Sequence, residues 1–186
     1  MPAAPLGKST LFGCPISGEV APVSQCPDPT FAQEILGPGV VIFPEGCELF
    51  APADARVEFA LSTKHALGLG TAEGVKFLIH VGMDTNKLEG DGFQSFAKMG
   101  DEVKRGDKLL SFDPQVMAEN RCSLATPFVF CNSKEGWDME ILRTGRVEAG
   151  EDLIRLTPRK PDLPGKQKPE ALAAPGFLFA SRGAGF

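Results

Sequence analysis

The chain has 186 residues, of which 42% are hydrophobic and 23% are charged, as in a typical globular protein. This length fits one domain, since single cores commonly span about 100–200 residues. The formal net charge of −5 argues against nucleic acid as a partner, because binding a polyanion requires a basic surface.

Nothing in the sequence predicts membrane insertion or export. No stretch approaches the ~20 apolar residues that span a bilayer, and residues 1–14 lack the apolar core of a signal peptide. The 5 cysteines include no C-x-x-C pair, which favours free thiols in a reducing compartment. We therefore expect a cytoplasmic protein.

Short apolar runs between Gly, Pro and Asp turns predict an all-β chain. The predicted strands are 39–44, 55–61, 65–70, 75–83, 108–113, 127–132 and 152–157. Helical signals are limited to short turns in 28–36 and 114–120, and the charged sequence V-K-R-G-D at 103–107 predicts a chain reversal. The expected fold is an antiparallel β-sandwich or hybrid β-barrel with Greek-key-like corners and one or two short helical turns.

Residues 158–186 differ from the rest of the chain in composition. They hold five prolines and show no alternating pattern. Pro-rich polar sequence favours extended, unpacked chain. We therefore predict an N-terminal extension at 1–13, one domain at 14–157 and a tail or linker at 158–186.

Both histidines of the chain fall within residues 64–85. In a strand over 75–83, residues 77, 79 and 81 would face the core, while Leu78 and His80 would face the other side. One interpretation of His80 is a half-buried histidine that bonds a backbone carbonyl.

A second histidine nearby favours a functional interpretation. Thr63 precedes His65 by two residues and would share its face in a strand, so its hydroxyl could bond one ring nitrogen and leave the other free. A tight turn at 70–74 would place the strands of His65 and His80 side by side and antiparallel. We expect both rings to open onto one shallow hollow, as a site for an anion or a metal ion.

Several chemistries compete for such a pair. Zinc sites lack support, because the chain has only 2 histidines and no organised cysteines. Serine chemistry lacks a G-x-S-x-G turn, and no nucleotide-binding glycine fingerprint is present. Phosphoryl transfer fits, because a neutral imidazole nitrogen can attack phosphorus while a second imidazole donates a hydrogen bond to its oxygens. No cofactor is expected, although zinc could bind incidentally between His65 and His80.

The sequence around the histidines is similar to a known family. G-V-K-F-L-I-H-V-G-M-D-T at 74–85 closely resembles the phosphorylation-site signature of the glucose-type IIA component of the bacterial phosphoenolpyruvate-dependent sugar phosphotransferase system. S-T-K-H-A-L-G-L at 62–69 resembles the family's second histidine motif. Further similar stretches, among them L-F-A-P-A-D-A-R-V and V-K-R-G-D-K-L-L-S-F-D, extend the resemblance over about residues 14–157.

The resemblance implies a role for each matching residue. His80 would accept a phosphoryl group from the phosphohistidine of the carrier HPr, and would pass it to a cysteine of a sugar-specific IIB domain. His65 would stabilise the phosphoryl oxygens, and Thr63 would orient His65. Asp84 and Asp28 would border the site, where an arginine of HPr approaches.

The resemblance also implies an apolar docking depression for these partners. Its matching residues are Phe31, Ile35, Leu36 and Leu78, each of which could instead be a core residue. The chain would work beside a membrane IIC transporter without entering the membrane. The alternatives are a non-catalytic regulatory or binding module that retains the histidine pair and, less favoured, a zinc-dependent hydrolase.

Overall fold

The computed structural model describes residues 9–132 and 136–159, which form short strands and two short helices. The strands are Thr10–Gly13 (β1), Gly18–Pro22 (β2), Gly39–Pro44 (β3), Glu48–Phe50 (β4), Ala55–Ala60 (β5), Ala66–Gly70 (β6), Lys76–His80 (β7), Phe93–Ser95 (β8), Glu102–Val103 (β9), Lys108–Phe112 (β10), Thr126–Phe130 (β11), Trp137–Ile141 (β12), Gly145–Val147 (β13) and Asp152–Pro158 (β14). The helices are Pro29–Ala32 (α1) and Pro114–Glu119 (α2). Neither helix is long and apolar enough to cross a membrane, and the described residues contain no other candidate.

These strands form three antiparallel sheets. The large sheet has the order β13-β2-β3-β11-β7-β6-β5-β9, and the two small sheets have the orders β1-β14-β12 and β4-β10-β8. The predicted antiparallel all-β fold is confirmed. None of the described sheets closes on itself into a barrel.

Every predicted strand is present, with small differences at its ends. The strand predicted at 75–83 ends at His80, because the chain then turns through Gly82, whose φ is +76°. The predicted reversal at 103–107 is also present: the carboxylate of Asp107 accepts from the Lys104 amide at 2.9 Å. The strands that the sequence pattern did not predict are β1, β2, β4, β8, β9, β12 and β13. Five of them have only two to four residues, too few for an alternating pattern of their own, whereas β2 and β12 have five residues each and were missed.

Both helices begin in the same way. A proline occupies the first turn, where a missing N–H costs nothing, and the preceding aspartate caps the helix. The Asp28 carboxylate accepts from the Thr30 amide at 2.8 Å, and the Asp113 carboxylate accepts from the Gln115 amide at 2.9 Å. The predicted helical turns therefore form, although the first is shorter than the segment 28–36.

The predicted domain boundaries need correction at both ends. Residues 10–13, assigned to an N-terminal extension, form β1 and pair with β14. At the other end, β14 continues to Pro158, and the Arg159 guanidinium donates to the Asp138 carboxylate at 2.9 Å. Residues 10–13 belong to the domain because Phe12 lies in its core, and Pro158 belongs to it because it pairs with Trp137 of β12. The remainder of the predicted extension and tail, 1–8 and 160–186, lies outside the described residues.

Two apolar clusters lie on opposite faces of the large sheet. The main core includes a group of phenylalanines, in which Phe12 contacts Phe77 and Phe130 edge to face with centroids 5.4 and 4.9 Å apart. A second cluster covers part of the other face; it consists of Val23, Cys26, Phe31, Val41, Met83, Ala125 and Val129. This second cluster lies beneath the histidines and supports them.

We expect Phe12→Ala to lower the free energy of unfolding by about 3–5 kcal/mol, because Phe12 is fully buried among aromatic rings. The measurement is urea unfolding followed by circular dichroism. Leu11→Ala is the matched control on the same strand, since Leu11 is 37% exposed and should cost well under half as much. Equal, small effects of both changes would contradict the assignment of β1 to the domain.

Candidate active site

The two histidines meet across a β-hairpin. β6 and β7 pair in antiparallel fashion with Ala66 opposite His80, and the amide of Val81 donates to the carbonyl of His65 at 2.7 Å. Thr71 closes the predicted turn by donating its amide to the carbonyl of Val75 at 2.9 Å. The imidazole centroids consequently lie 4.7 Å apart, with an angle of 76° between the rings. The predicted juxtaposition of His65 and His80 is therefore present.

The backbone fixes which nitrogen of His80 is free. Nδ1 lies 2.8 Å from the carbonyl oxygen of Gly82. A carbonyl can only accept, so Nδ1 must carry the ring proton and donate it. The lone pair of the neutral ring is then on Nε2. A backbone carbonyl thus satisfies His80, and the same contact prepares its other nitrogen as a nucleophile.

The turn after β7 holds that carbonyl in place. Gly82 has φ +76°, and a side chain there would come within 2.8 Å of the Ser123 carbonyl oxygen. The hydroxyl of the buried Thr85 donates to the carbonyl of Val81 at 2.7 Å. Sequence reasoning missed Thr85 as a supporting residue; the only signal was a small hydroxyl residue just beyond the G-M-D turn.

His65 is held by the predicted threonine, but from a turn and not from a strand. Thr63 Oγ1 lies 2.8 Å from His65 Nδ1. β5 ends at Ala60 and β6 begins at Ala66, so Thr63 lies in the connecting turn. Lys64, between Thr63 and His65, adopts a left-handed φ of +66°, which differs from the backbone conformation of a strand. This turn brings the side chains of Thr63 and His65 within hydrogen-bond distance. When the Thr63 hydroxyl donates to Nδ1, the ring proton of His65 lies on Nε2.

The two rings differ in exposure. We expected both to open onto a shallow hollow; His80 is half-buried, but His65 is only 3% exposed. His65 is covered because it lies at the start of β6, beneath the turn that carries Thr63. Neither Nε2 atom makes a hydrogen bond or is fully buried within the described part of the chain. Each ring therefore keeps one nitrogen without a hydrogen bond, although little of the His65 ring is open to solvent.

Burial keeps both imidazoles neutral. It lowers the pKa of His80 from 6.5 to about 4, with a further lowering from the neighbouring His65. The Gly82 carbonyl and the negative charge of Asp28 oppose this shift. Burial also lowers the pKa of His65, against the opposing hydrogen bond with Thr63. At neutral pH the site presents two uncharged rings, each with one bound and one free nitrogen.

The two predicted carboxylates occupy different positions. Asp28 is half-buried at the start of α1 and close enough to act on the pKa of His80. Asp84 is exposed, four residues after His80, with a left-handed φ of +60°. Its carboxylate makes no hydrogen bond or ion pair with any described residue. Both carboxylates are thus available at the surface near the turn that follows β7.

The predicted docking residues separate into two groups. Phe31 is 4% exposed, and its ring centroid lies 5.3 Å from that of His80; it is a core residue of the second cluster and not part of an open surface. Leu78 is half-buried against the same cluster. Ile35 and Leu36 are 67% and 37% exposed, beyond the end of α1. Only these last two have the exposure of surface contacts.

The arrangement provides few ligands for a metal. Among the described residues, no group of three or more His, Cys, Asp or Glu side chains converges on one point. Structural zinc is usually held by four ligands and catalytic zinc by three protein ligands. The site instead offers one nucleophilic nitrogen and one adjacent N–H donor.

Comparison with known proteins identifies the family. The family model for the phosphoenolpyruvate-dependent sugar phosphotransferase system, EIIA 1, matches residues 11–136. The glucose-specific EIIA component of Oceanobacillus iheyensis is 40% identical over 147 residues, which cover 79% of this chain and 89% of that protein. The solved glucose permease IIA from Mycoplasma capricolum superposes with a TM-score of 0.75 at 32% identity, covering 80% of this chain and 96% of the other.

The chain belongs to the EIIA family of the phosphoenolpyruvate-dependent sugar phosphotransferase system. As a member of it, the protein is a phosphocarrier in sugar uptake. Other relatives are longer: the chain is 38% identical to a glucoside-specific EIICBA component of Staphylococcus carnosus but covers only 20% of its length. These relatives give no support to a regulatory binding module or a zinc-dependent hydrolase.

We expect His80 to stay neutral down to about pH 4 and to carry its proton on Nδ1, because burial disfavours the imidazolium and the Gly82 carbonyl holds the proton. The folded ring binds its proton at lower pH than the unfolded one, so stability is lost as pH falls from about 6.5 through about 4. The measurement is ¹⁵N NMR titration of both imidazoles, with the urea-unfolded chain as control. A folded pKa near 6.5, or a proton on Nε2, would contradict the geometry.

Proposed function

We propose that His80 is the phosphoryl acceptor of this EIIA domain. It receives the phosphoryl group from the phosphohistidine of HPr and passes it to a cysteine of a IIB domain. The observation that carries the proposal is the hydrogen bond from His80 Nδ1 to the Gly82 carbonyl, which leaves the Nε2 lone pair free. The position of His65, with its centroid 4.7 Å away, supports it further.

In the first step, His80 Nε2 attacks the phosphorus of the donor in line with the bond that breaks. A new N–P bond forms on His80, and the electron pair of the old N–P bond returns to the donor imidazole. Neutral His80 needs no base to remove a proton, which suits its lowered pKa. No metal is required, because the donor is already activated.

His65 stabilises the phosphoryl group during transfer. With the Thr63 hydroxyl donating to its Nδ1, His65 presents an N–H at Nε2 toward the equatorial oxygens. In the transition state the negative charge is spread over those oxygens, and a pre-placed donor needs no reorganisation to bond them. Because its Nε2 carries the proton and its Nδ1 accepts from Thr63, His65 can donate without acting as a competing acceptor.

The second step reverses the first with a different partner. The thiolate of a IIB cysteine attacks phosphorus, and the electron pair of the His80 N–P bond returns to Nε2. Phosphorylated His80 keeps its proton on Nδ1, so its ring carries formal positive charge and is a good leaving group. The Gly82 carbonyl stabilises that charge.

Fused members of the family support a partnership with the B and C components. EIIA stands in one chain with the B and C components in the EIICBA protein of Staphylococcus carnosus and the EIIBCA protein of Corynebacterium glutamicum, which supports a IIB and IIC partnership. We place the relay in the cytoplasm, where HPr would supply the phosphoryl group and a membrane IIC transporter would receive the sugar. The negative charges of the half-buried Asp28 and the exposed Asp84 would attract a cationic donor surface.

We expect His80→Ala to abolish labelling when the chain is mixed with radioactive phosphoenolpyruvate, the general enzyme of the system and HPr, because it removes the only free nucleophilic nitrogen proposed. His65→Ala should still accept phosphate but pass it to a IIB domain at least 100-fold more slowly, since an oxyanion donor contributes about 10²–10³-fold. The measurement is acid-labile label on the protein and then on IIB.

Thr63 provides the matched pair of control variants. Thr63→Ser keeps the hydroxyl and should transfer the phosphoryl group to IIB at the wild-type rate. Thr63→Val lacks the hydroxyl and should slow this transfer, but by less than His65→Ala does. If His80→Ala protein took up as much label as wild type, the assignment of the acceptor would be wrong. If His65→Ala transferred to IIB at the normal rate, the role given to His65 would be wrong.

A further inference from the structure

An exposed aromatic ring lies near the histidines at a position that the family resemblance did not mark. Phe59, on β5, is 43% exposed although it lies within the large sheet. Its ring covers Gly68 on β6, and a Cβ at position 68 would overlap that ring. Gly68 therefore provides the space in which Phe59 lies flat against the sheet.

Strand register places this ring on the same face as the phosphoryl site. Phe59 is opposite Gly68, and Gly68 is opposite Leu78. Directly opposite residues of antiparallel strands point to the same side, as do residues two apart on one strand. Phe59, Leu78 and His80 thus share one face of the sheet.

This face is covered on only one side of His80. Toward β3 and β11, the second cluster with Phe31 fills the space. Toward β5, Phe59 and Leu61 remain 43% and 42% exposed, and neither belongs to a described core cluster. An apolar surface therefore continues from the site toward β5.

Any protein that delivers a phosphoryl group to His80 must cover this surface. Neighbouring strands are ~4.8 Å apart and residues rise ~3.3 Å each, so Phe59 lies roughly 12 Å from His80 across two strands. Even a small transient interface of about 600 Å² per partner extends roughly 14 Å from its centre. A donor centred on His80 therefore contacts Phe59.

We propose that Phe59, seated on Gly68, is a docking residue for the phosphohistidine-bearing donor protein, which meets it with an apolar surface patch. This proposal rests on the proposed function, in which the donor is a separate protein that must bind over His80 before the phosphoryl group is transferred. The half-buried carboxylate of Asp28 and the exposed carboxylate of Asp84 form the polar part of the same surface, so the donor is expected to place cations there. Phe59 touches no reacting atom and acts through binding alone.

We expect Phe59→Ala to raise the KM for phospho-HPr about tenfold while the rate at saturating donor stays within twofold, since truncating an aromatic contact residue weakens binding and not chemistry. The measurement is the initial rate of His80 phosphorylation against donor concentration. Phe59→Leu should restore part of the affinity. Phe96→Ala is the matched control, because Phe96 is 47% exposed beside a different sheet and should leave both parameters unchanged.

The outcomes separate this proposal from the proposed function. If wild type is labelled on His80 and Phe59→Ala has the same KM, the docking role is overturned and the acceptor role stands. If wild type takes up no label at His80, the acceptor role proposed for His80 is itself wrong. A lowered rate at saturating donor, a loss confined to transfer to IIB, or self-association of wild type that Phe59→Ala abolishes in sedimentation would each overturn the assignment to the donor.

Discussion

The two-histidine site depends on one hydrogen bond, from His80 Nδ1 to the carbonyl of Gly82. A carbonyl cannot donate, so this contact decides the tautomer and leaves the Nε2 lone pair free for the proposed attack on phosphorus. The position of the carbonyl depends in turn on Gly82, whose left-handed φ few other residues adopt, and on the buried hydroxyl of Thr85. A change in this turn would alter the chemistry without touching either imidazole.

Two further constraints make the pair suitable for phosphoryl transfer. The antiparallel register of β6 and β7 brings the rings to 4.7 Å, and the apolar cluster beneath His80 lowers its pKa to about 4. The first constraint supplies a donor beside the acceptor, and the second keeps the acceptor unprotonated. Because both follow from sheet packing, the site is organised before any partner binds, which suits brief encounters.

Much of the fold and of the histidine site could be predicted from the sequence, because the informative signals are local. Alternation placed Leu78 and His80 on one face, and the G-T-A-E-G turn predicted the hairpin. The features that could not be predicted depend on contacts between distant parts of the chain. Residues 10–13 have no pattern to mark them as β1, because that strand is defined by its partner β14. The exposure of His65 depends on the turn next to it, and the exposure of Phe31 depends on how its own helix, α1, packs on the sheet. Sequence periodicity encodes neither of these.

The central claim is that phosphate is carried on Nε2 of His80. The most direct measurement is ³¹P and ¹⁵N NMR of the protein after incubation with phospho-HPr, using phosphorus–nitrogen coupling to identify the modified atom. The account predicts a single phosphohistidine at Nε2 of His80, with the Nδ1 proton still bonded to the Gly82 carbonyl. Phosphate on Nδ1 of His80, or on either nitrogen of His65, would contradict it.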